Sequence, residues 1–295
     1  TFSLTPAAAA SVPDLDEQAE PKSTATSPAL DRNGEAATVL DLKELVDDNA
    51  LSTLVPGTAV NLIGEAIDGY NLGGEHITRS EVFRLEIVTP EQLLALLERR
   101  ELGLRSRLEQ TITEMTSLRQ TLDVLRRTGF DIAENATEDA TRRAEQVRRL
   151  RAQQSGLQAT KTSEELLGIA LSLDDILLEM LNNRVDSVDR SERIATGVRD
   201  PIKVTVSGSL ATLRTQIKQV ESVVTNPKQG VTRTAEAVST AEQVILELNA
   251  VLEKMLDLET YNEVLDLVRQ LMDDQSDLTD DTKEERKKQV LDLFK

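Results

Sequence analysis

Three groups of side chains in this 295-residue sequence have types and spacings that invite a chemical reading. His76, the single histidine, sits in a turn-rich stretch with Asp68, Asn71 and Glu75, where an imidazole and carboxylates could converge as a general base or a metal site. Asp, Asn and Gly are also the residues that turns need for backbone reasons. The spacing does not fit a calcium loop, which wants acidic or amide groups at alternate positions and a Glu at the twelfth, so the stretch reads as a turn. The acidic pairs Asp174-Asp175, Asp273-Asp274 and Asp280-Asp281 invite a divalent metal. Neighbours on a helix point about 100° apart, so each pair reads as a solvated helix face or cap. The third group is Arg142, Arg143, Arg148, Arg149 and Arg151. Contact with phosphate, nucleic acid or lipid headgroups is one use of such a run, but no aromatic residue interleaves it for base stacking.

Charge distribution favours a different use for those arginines. Between Arg99 and Arg151 there are 12 Arg and 9 acids, a net of +3, and between Glu242 and Asp281 there are 12 acids and 2 bases, a net of −10. Two helices with opposite excesses pair well when antiparallel. Arg142, Arg143, Arg148, Arg149 and Arg151 are therefore read as an interaction segment facing another helix, with anion or nucleic-acid binding as the alternative. The chain as a whole, at −18, is not built to grip nucleic acid. With no Cys there is no disulfide, thiolate metal site or Cys nucleophile, and the redox compartment stays open. One His excludes a multi-His metal site. No phosphate loop, dinucleotide fingerprint, serine-nucleophile elbow or zinc-protease motif occurs. No catalytic residue, metal ligand or cofactor is assigned, and the chain is read as non-enzymatic.

Composition sets the elements that carry these residues. Aromatic residues make up 2%, so a thick enzyme core is disfavoured. Leu, Val, Ile and Ala in a chain that is 29% charged point to long helices with narrow apolar seams. The fold class expected is mainly α: an elongated antiparallel helical bundle or coiled coil, preceded by a small, incomplete antiparallel β region. Residues 1–35, rich in Ala, Ser, Thr and Pro, read as a flexible acidic tail or linker, part of which could cross a sheet given a partner strand. Residues 36–89 read as the β region, with strands at 37–42, 59–67 and 83–87, a Pro56-Gly57 turn, and Phe83, Leu85 and Ile87 sharing one face. Such a sheet either leans on a helix or is completed by other sequence.

Residues 90–295 read as helical throughout. Thr89-Pro90-Glu91-Gln92 has the form of a capping box with Pro at the first helical position. Steps of four and three then give Leu97, Glu101, Leu104, Leu108, Thr111, Met115, Leu118, Leu122 and Leu125, a seam ending at Thr128-Gly129. A second helix starts at Thr137 and passes Val147, Leu150, Leu157, Leu166, Ile169, Leu173, Leu177, Met180 and Val188. A third starts at Asp200-Pro201 and stops at Asn226-Pro227. A fourth spans about 230–274, with Leu248, Met255 and Leu258 set against Leu173, Leu177 and Met180, and a short last helix covers 280–294. The four long helices measure about 40 to 80 Å at 1.5 Å per residue. No apolar run approaches the roughly 20 residues that span a bilayer. The sequence opens on Thr1 with no leader pattern, so it reads as a fragment or a processed product.

The order of features from Pro56 to Leu94 resembles a known arrangement. A Pro-Gly turn leads to a strand closing on Ala66-Ile67-Asp68, then an Asn/Gly loop, then Arg79-Ser80-Glu81-Val82-Phe83-Arg84-Leu85-Glu86-Ile87-Val88 and an immediate helix at Thr89-Pro90-Glu91-Gln92-Leu93-Leu94. This is similar to large, membrane-anchored bacterial envelope proteins of planctomycete type, in which an immunoglobulin-like sandwich precedes a long helical region. The resemblance implies an extracytoplasmic, periplasm-like setting, tethered through an N-terminal membrane segment not in this sequence. It implies no catalytic or binding residue. The partner expected is another protein or a second copy meeting the helices, with no nucleic acid.

Overall fold

The computed structural model describes residues 2–6, 24–26, 40–48, 51, 54–67, 76–131, 137–185 and 187–293, with side-chain surroundings from 40 to 287 apart from scattered positions between 259 and 273. The chain is mostly helical with a small antiparallel sheet, and it separates into two units, Thr1–Leu96 and Leu97–Lys295.

In the first unit β3 (Ala59–Ile67) is the central strand. β1 (Phe2–Pro6) pairs antiparallel along one side of it with Leu4 opposite Leu62, and β2 (Thr24–Thr26) pairs with the outer side of β1. Residues read as tail therefore supply two strands. On the other side β5 (Phe83–Glu86) sets Leu85 opposite Val60, and β4 (Ile77–Arg79) sets Ile77 opposite Ile67. The turn into β3 has Gly57 at φ 92°, a conformation open to glycine and strained for other residues. Its amide donates to the Ile87 carbonyl at 2.8 Å.

The strand expected at 37–42 is corrected where it is described. Asp41 caps a short helix, α1 (Leu42–Asp47), its carboxylate accepting from the Lys43 and Glu44 amides; residues 37–39 lie outside the described residues. The apolar spacing Leu42, Leu45, Val46 serves a helical face, which packs with Leu51, Leu54, Val60, Leu62 and Ile87. The sheet thus leans on a helix. Phe83, on the edge strand, stays 61% exposed.

The second unit is built on helical seams. The capping box forms as expected: the Thr89 amide donates to Gln92 Oε1 at 3.0 Å and the Gln92 amide to Thr89 Oγ1 at 3.2 Å, opening α2 (Pro90–Val124). Leu97, Leu104, Leu108, Met115, Leu118, Leu122 and Leu125 are all buried, and a fully buried Leu contributes about 1.5–3 kcal/mol. Thr111, also on the seam, satisfies its hydroxyl on the Arg107 carbonyl at 2.8 Å. A π turn, Leu125–Gly129, ends the helix.

α3 (Glu138–Asn182), capped by Thr137, is shorter than expected. Arg184 at φ 55° takes the left-handed cap position, with the Val185 amide on the Met180 carbonyl and the Arg184 amide on the Leu181 carbonyl. Ser187 then caps α4 (Val188–Ile194), which continues through a π turn, Ala195–Arg199, into α5 (Asp200–Ser207). Asp200-Pro201 opens α5 as expected, but directly on the π turn, with no break in the helical run before it. Proline lacks an N–H and its ring crowds the carbonyl four residues back. The wider turn ahead of it, with the Asp200 amide reaching the Ala195 carbonyl, is the local adjustment that lets the helix pass. After Gly208 come α6 (Ser209–Ser222) and, from Pro227, the single helix α7 (Pro227–Leu293). The break expected near 275–279 does not occur, because Gln275-Ser276-Asp277-Leu278-Thr279 holds neither Gly nor Pro. α6 packs on both α3 and α7.

Candidate functional site

The arginine segment opens α3, and its five members do not share a face. Arg142 is taken by Glu138 one turn back at 2.5 Å. Arg143 and Arg149 are exposed and Arg151 is half-buried. Arg148 turns inward and is 1% exposed, facing another helix of the same chain. Its Nη1 donates to the Val224 carbonyl at the end of α6 at 2.6 Å, and its guanidinium lies 5.3 Å from the centre of the Phe130 ring. Nε and Nη2, also buried, make no hydrogen bond. Partial negative charge at a helix C-terminus and the π face of Phe130 are what compensate the buried cation. The inward position was legible in one signal: stepping back from Ala159 through Ser155 and Ala152 by fours and threes reaches Arg148, and all four are buried. A stripe of small residues escapes a search for Leu.

Among the described residues, charge pairing between the arginine-rich and acid-rich stretches is realised where Arg119 meets Glu242 on α7. Arg100 and Arg107 pair instead with Glu179 and Glu165 of α3, the latter at 2.7 Å. The Arg142–Arg151 stretch lies beside α6, where Gln153 also donates to Glu221 at 2.7 Å. Arg190 is a second buried cation, 2.8 Å from Glu101 and 3.2 Å from Glu98, and it ties α4 to α2.

Of the other chemical candidates, Asp174 and Asp280 are engaged in ion pairs. Asp174 accepts from Lys203 at 2.7 Å and from Arg199 at 3.0 Å. The Lys203 bond, then that of Arg199, outweighs burial and holds the Asp174 carboxyl below its usual range. Asp280 accepts from Lys283, while Asp175 and Asp281 are exposed. His76 is exposed, and Asp68, Asn71 and Glu75 lie outside the described residues. No group of three metal-ligating side chains occurs among the described residues. A groove of about 400 Å³ between α2 and α3 is lined by Glu114, Ser155, Gln158 and Lys161 among others. Both Glu114 oxygens accept from Lys161 Nζ at 2.9 Å, and Gln158 adds a bond at 2.7 Å. Lys161 above all lowers the Glu114 carboxyl from its usual range, so the groove holds a charge-neutral clamp between two helices and no poised base.

Among the described residues no helix is long and apolar enough to cross a membrane. Large apolar side chains are also left exposed among the described residues. Leu150, Leu157, Leu171 and Leu178 stand exposed on α3, and Val264, Leu267, Val268, Leu271, Met272 and Leu278 on α7. Leu150 and Leu157, expected to join the core seam of α3, are thereby corrected to its outer side, as are Val147 and, on α4, Val188. Comparison of the chain with protein-family models, with curated proteins and with solved structures finds no match.

Proposed function

We propose that the helical part of this chain is a non-enzymatic structural or interaction module, an antiparallel bundle of long helices that presents an outer coiled-coil seam to another helix. The observation that carries this reading is on α3. Its inward face, Ala152, Ala159, Leu166, Ile169, Leu173, Ile176 and Met180, is buried. On the opposite side Leu150, Leu157, Leu171 and Leu178 recur at seven-residue steps with Glu164 in the gap, Leu157 being 73% exposed and Leu171 62%. Scattered exposed leucines are ordinary on a surface. A seven-residue repeat of them keeps one apolar position of a heptad on a single side of the helix, as one of the two seam positions of a coiled coil does.

The test is sedimentation across a concentration series and cross-linking in cells, comparing wild type with Leu157→Lys/Leu171→Lys. Both positions are exposed, so melting stays within about 0.5 kcal/mol of wild type. The reading expects wild type to associate, with itself or with a cross-linked partner, and the double variant to lose that association. Wild type and variant that both sediment as monomers and give the same cross-links refute it. The resemblance of residues 56–94 adds to this reading a membrane-tethered, extracytoplasmic parent, and protease accessibility of the chain in spheroplasts tests that location.

A further inference from the structure

The far half of α7 is an amphipathic helix whose apolar face is bare among the described residues. Every described side chain from Thr260 to Lys287 is exposed. Val264, Leu267, Val268, Leu271 and Leu278 fall on one stripe at three- and four-residue steps, with Leu271 66% and Leu278 71% exposed. Helices in water draw most of their stability from packing such a face, so a bare stripe of this length is incomplete by itself.

Charge states what kind of cover it needs. From Glu259 to Asp281 there are eight acids and one base. Asp274 and Asp281, both exposed, border the stripe one heptad apart. Asp277 stands three residues from Asp274 and from Asp280 and four from Asp281, so like charges adjoin along the helix, which disfavours it. Lys283 relieves Asp280, at 2.8 Å. Within the strongest basic run of the chain, on α3, Arg148 is held inward on Val224 and Arg142 is paired with Glu138. A second copy in parallel register would set Asp274 and Asp281 against their own images. A cationic occupant relieves the repulsion and covers the stripe together.

We propose that residues 264–281 of α7 are a docking face for a basic amphipathic helix of a partner protein, whose apolar seam covers Leu267, Leu271 and Leu278 and whose Lys or Arg flank meets Asp274 and Asp281. This rests on reading the chain as an interaction module and names its partner chemistry.

The experiment is an anisotropy titration of the full chain with two synthetic amphipathic helices that share one Leu seam and differ only in Lys or Glu flanks. The Lys-flanked helix binds wild type and the Glu-flanked helix does not. Leu271→Asp/Leu278→Asp adds two negative charges, so a purely electrostatic grip would tighten. Seam docking weakens at least tenfold. Asp274→Lys/Asp281→Lys reverses the preference between the two helices. The proposal is overturned by no binding of the Lys-flanked helix, by equal or tighter binding to the Leu271→Asp/Leu278→Asp variant, or by a wild-type dimer that this variant alone converts to monomer. The α3 variant Leu157→Lys/Leu171→Lys keeps the two readings apart. If it alters association while the Lys-flanked helix fails to bind, the interaction module stands and the α7 docking face falls.

Discussion

Gly230→Ala should destabilise the chain, against the usual sign of that change. In a helix interior Ala is better than Gly by about 1 kcal/mol. Gly230 lies in the first turn of α7, where an added methyl would overlap Cε1 and Cζ of Phe130 and come within 2.7 Å of its Cδ1. The ring has no room to swing. It is buried in a cluster with Leu125, Ala152 and Val220, and the Arg148 guanidinium lies over it. Forcing an extra methyl into a packed site costs about 1–3 kcal/mol, and loosening a desolvated cation–π contact costs up to about 2 kcal/mol. Less the helix gain, the net loss is about 2 kcal/mol, or roughly 4–8 °C in Tm for a unit of this size. Urea unfolding followed by circular dichroism measures it, with Gly103→Ala as the matched control. A methyl at Gly103 meets nothing within 4 Å, so that change should stabilise by up to about 1 kcal/mol. In a Phe130→Leu background the Gly230→Ala penalty should shrink toward zero. If Gly230→Ala stabilises the wild type as Gly103→Ala does, the packing of Phe130 on α7 is not as described and the reasoning fails.

Four further outcomes follow from the same structure. Leu118→Asp, which buries an unpaired charge on the α2 seam, should cost about 3–5 kcal/mol in the same urea assay; an unchanged midpoint would refute the seam. Arg190→Met should cost about 3 kcal/mol because Glu98 and Glu101 lose their shared cation, and replacing all three with apolar residues should recover most of it; equal losses in both variants would show that the ion cluster is not the cause. Arg184→Gly should stabilise by about 1 kcal/mol, since its φ of 55° suits glycine, and a loss would mean the Arg side chain contributes more than the strain. Asp174 is held below its usual range in the folded chain, so its contribution is full at neutral pH and is lost as pH falls from the ordinary carboxylate range through the depressed value. Urea midpoints measured against pH should therefore fall less steeply in Asp174→Asn than in wild type.

The seam of α2, the Thr89–Gln92 capping box, the Thr137 cap, the Gly57 turn and the strand at 59–67 were all legible in the sequence. Each depends on neighbours within a few residues: a 3.6-residue period, a hydroxyl three residues from an amide, a position that needs glycine. The boundaries of the later helices were less legible. Pro201 and the 275–279 stretch read as breaks, but a π turn absorbs the first and the second holds no residue that stops a helix.

Tertiary packing decided which face of each helix is inside. α3 carries apolar residues on two sides, and its local pattern gives Leu150 and Leu157 the same standing as Leu166 and Leu173. Only contact with α6 and its neighbours selects the narrow stripe of Ala152, Ser155 and Ala159, because small side chains let helix axes approach. The same choice draws Arg148 inward and leaves the leucine repeat outside. Strand pairing is equally non-local: β1 finds its ladder more than fifty residues away, at 60–64, and no spacing within Phe2–Pro6 encodes that distance. The sequence by itself determined the long helices, their caps and the residues able to bury or to pair. Which of them remain on the surface to meet another molecule was set by long-range packing.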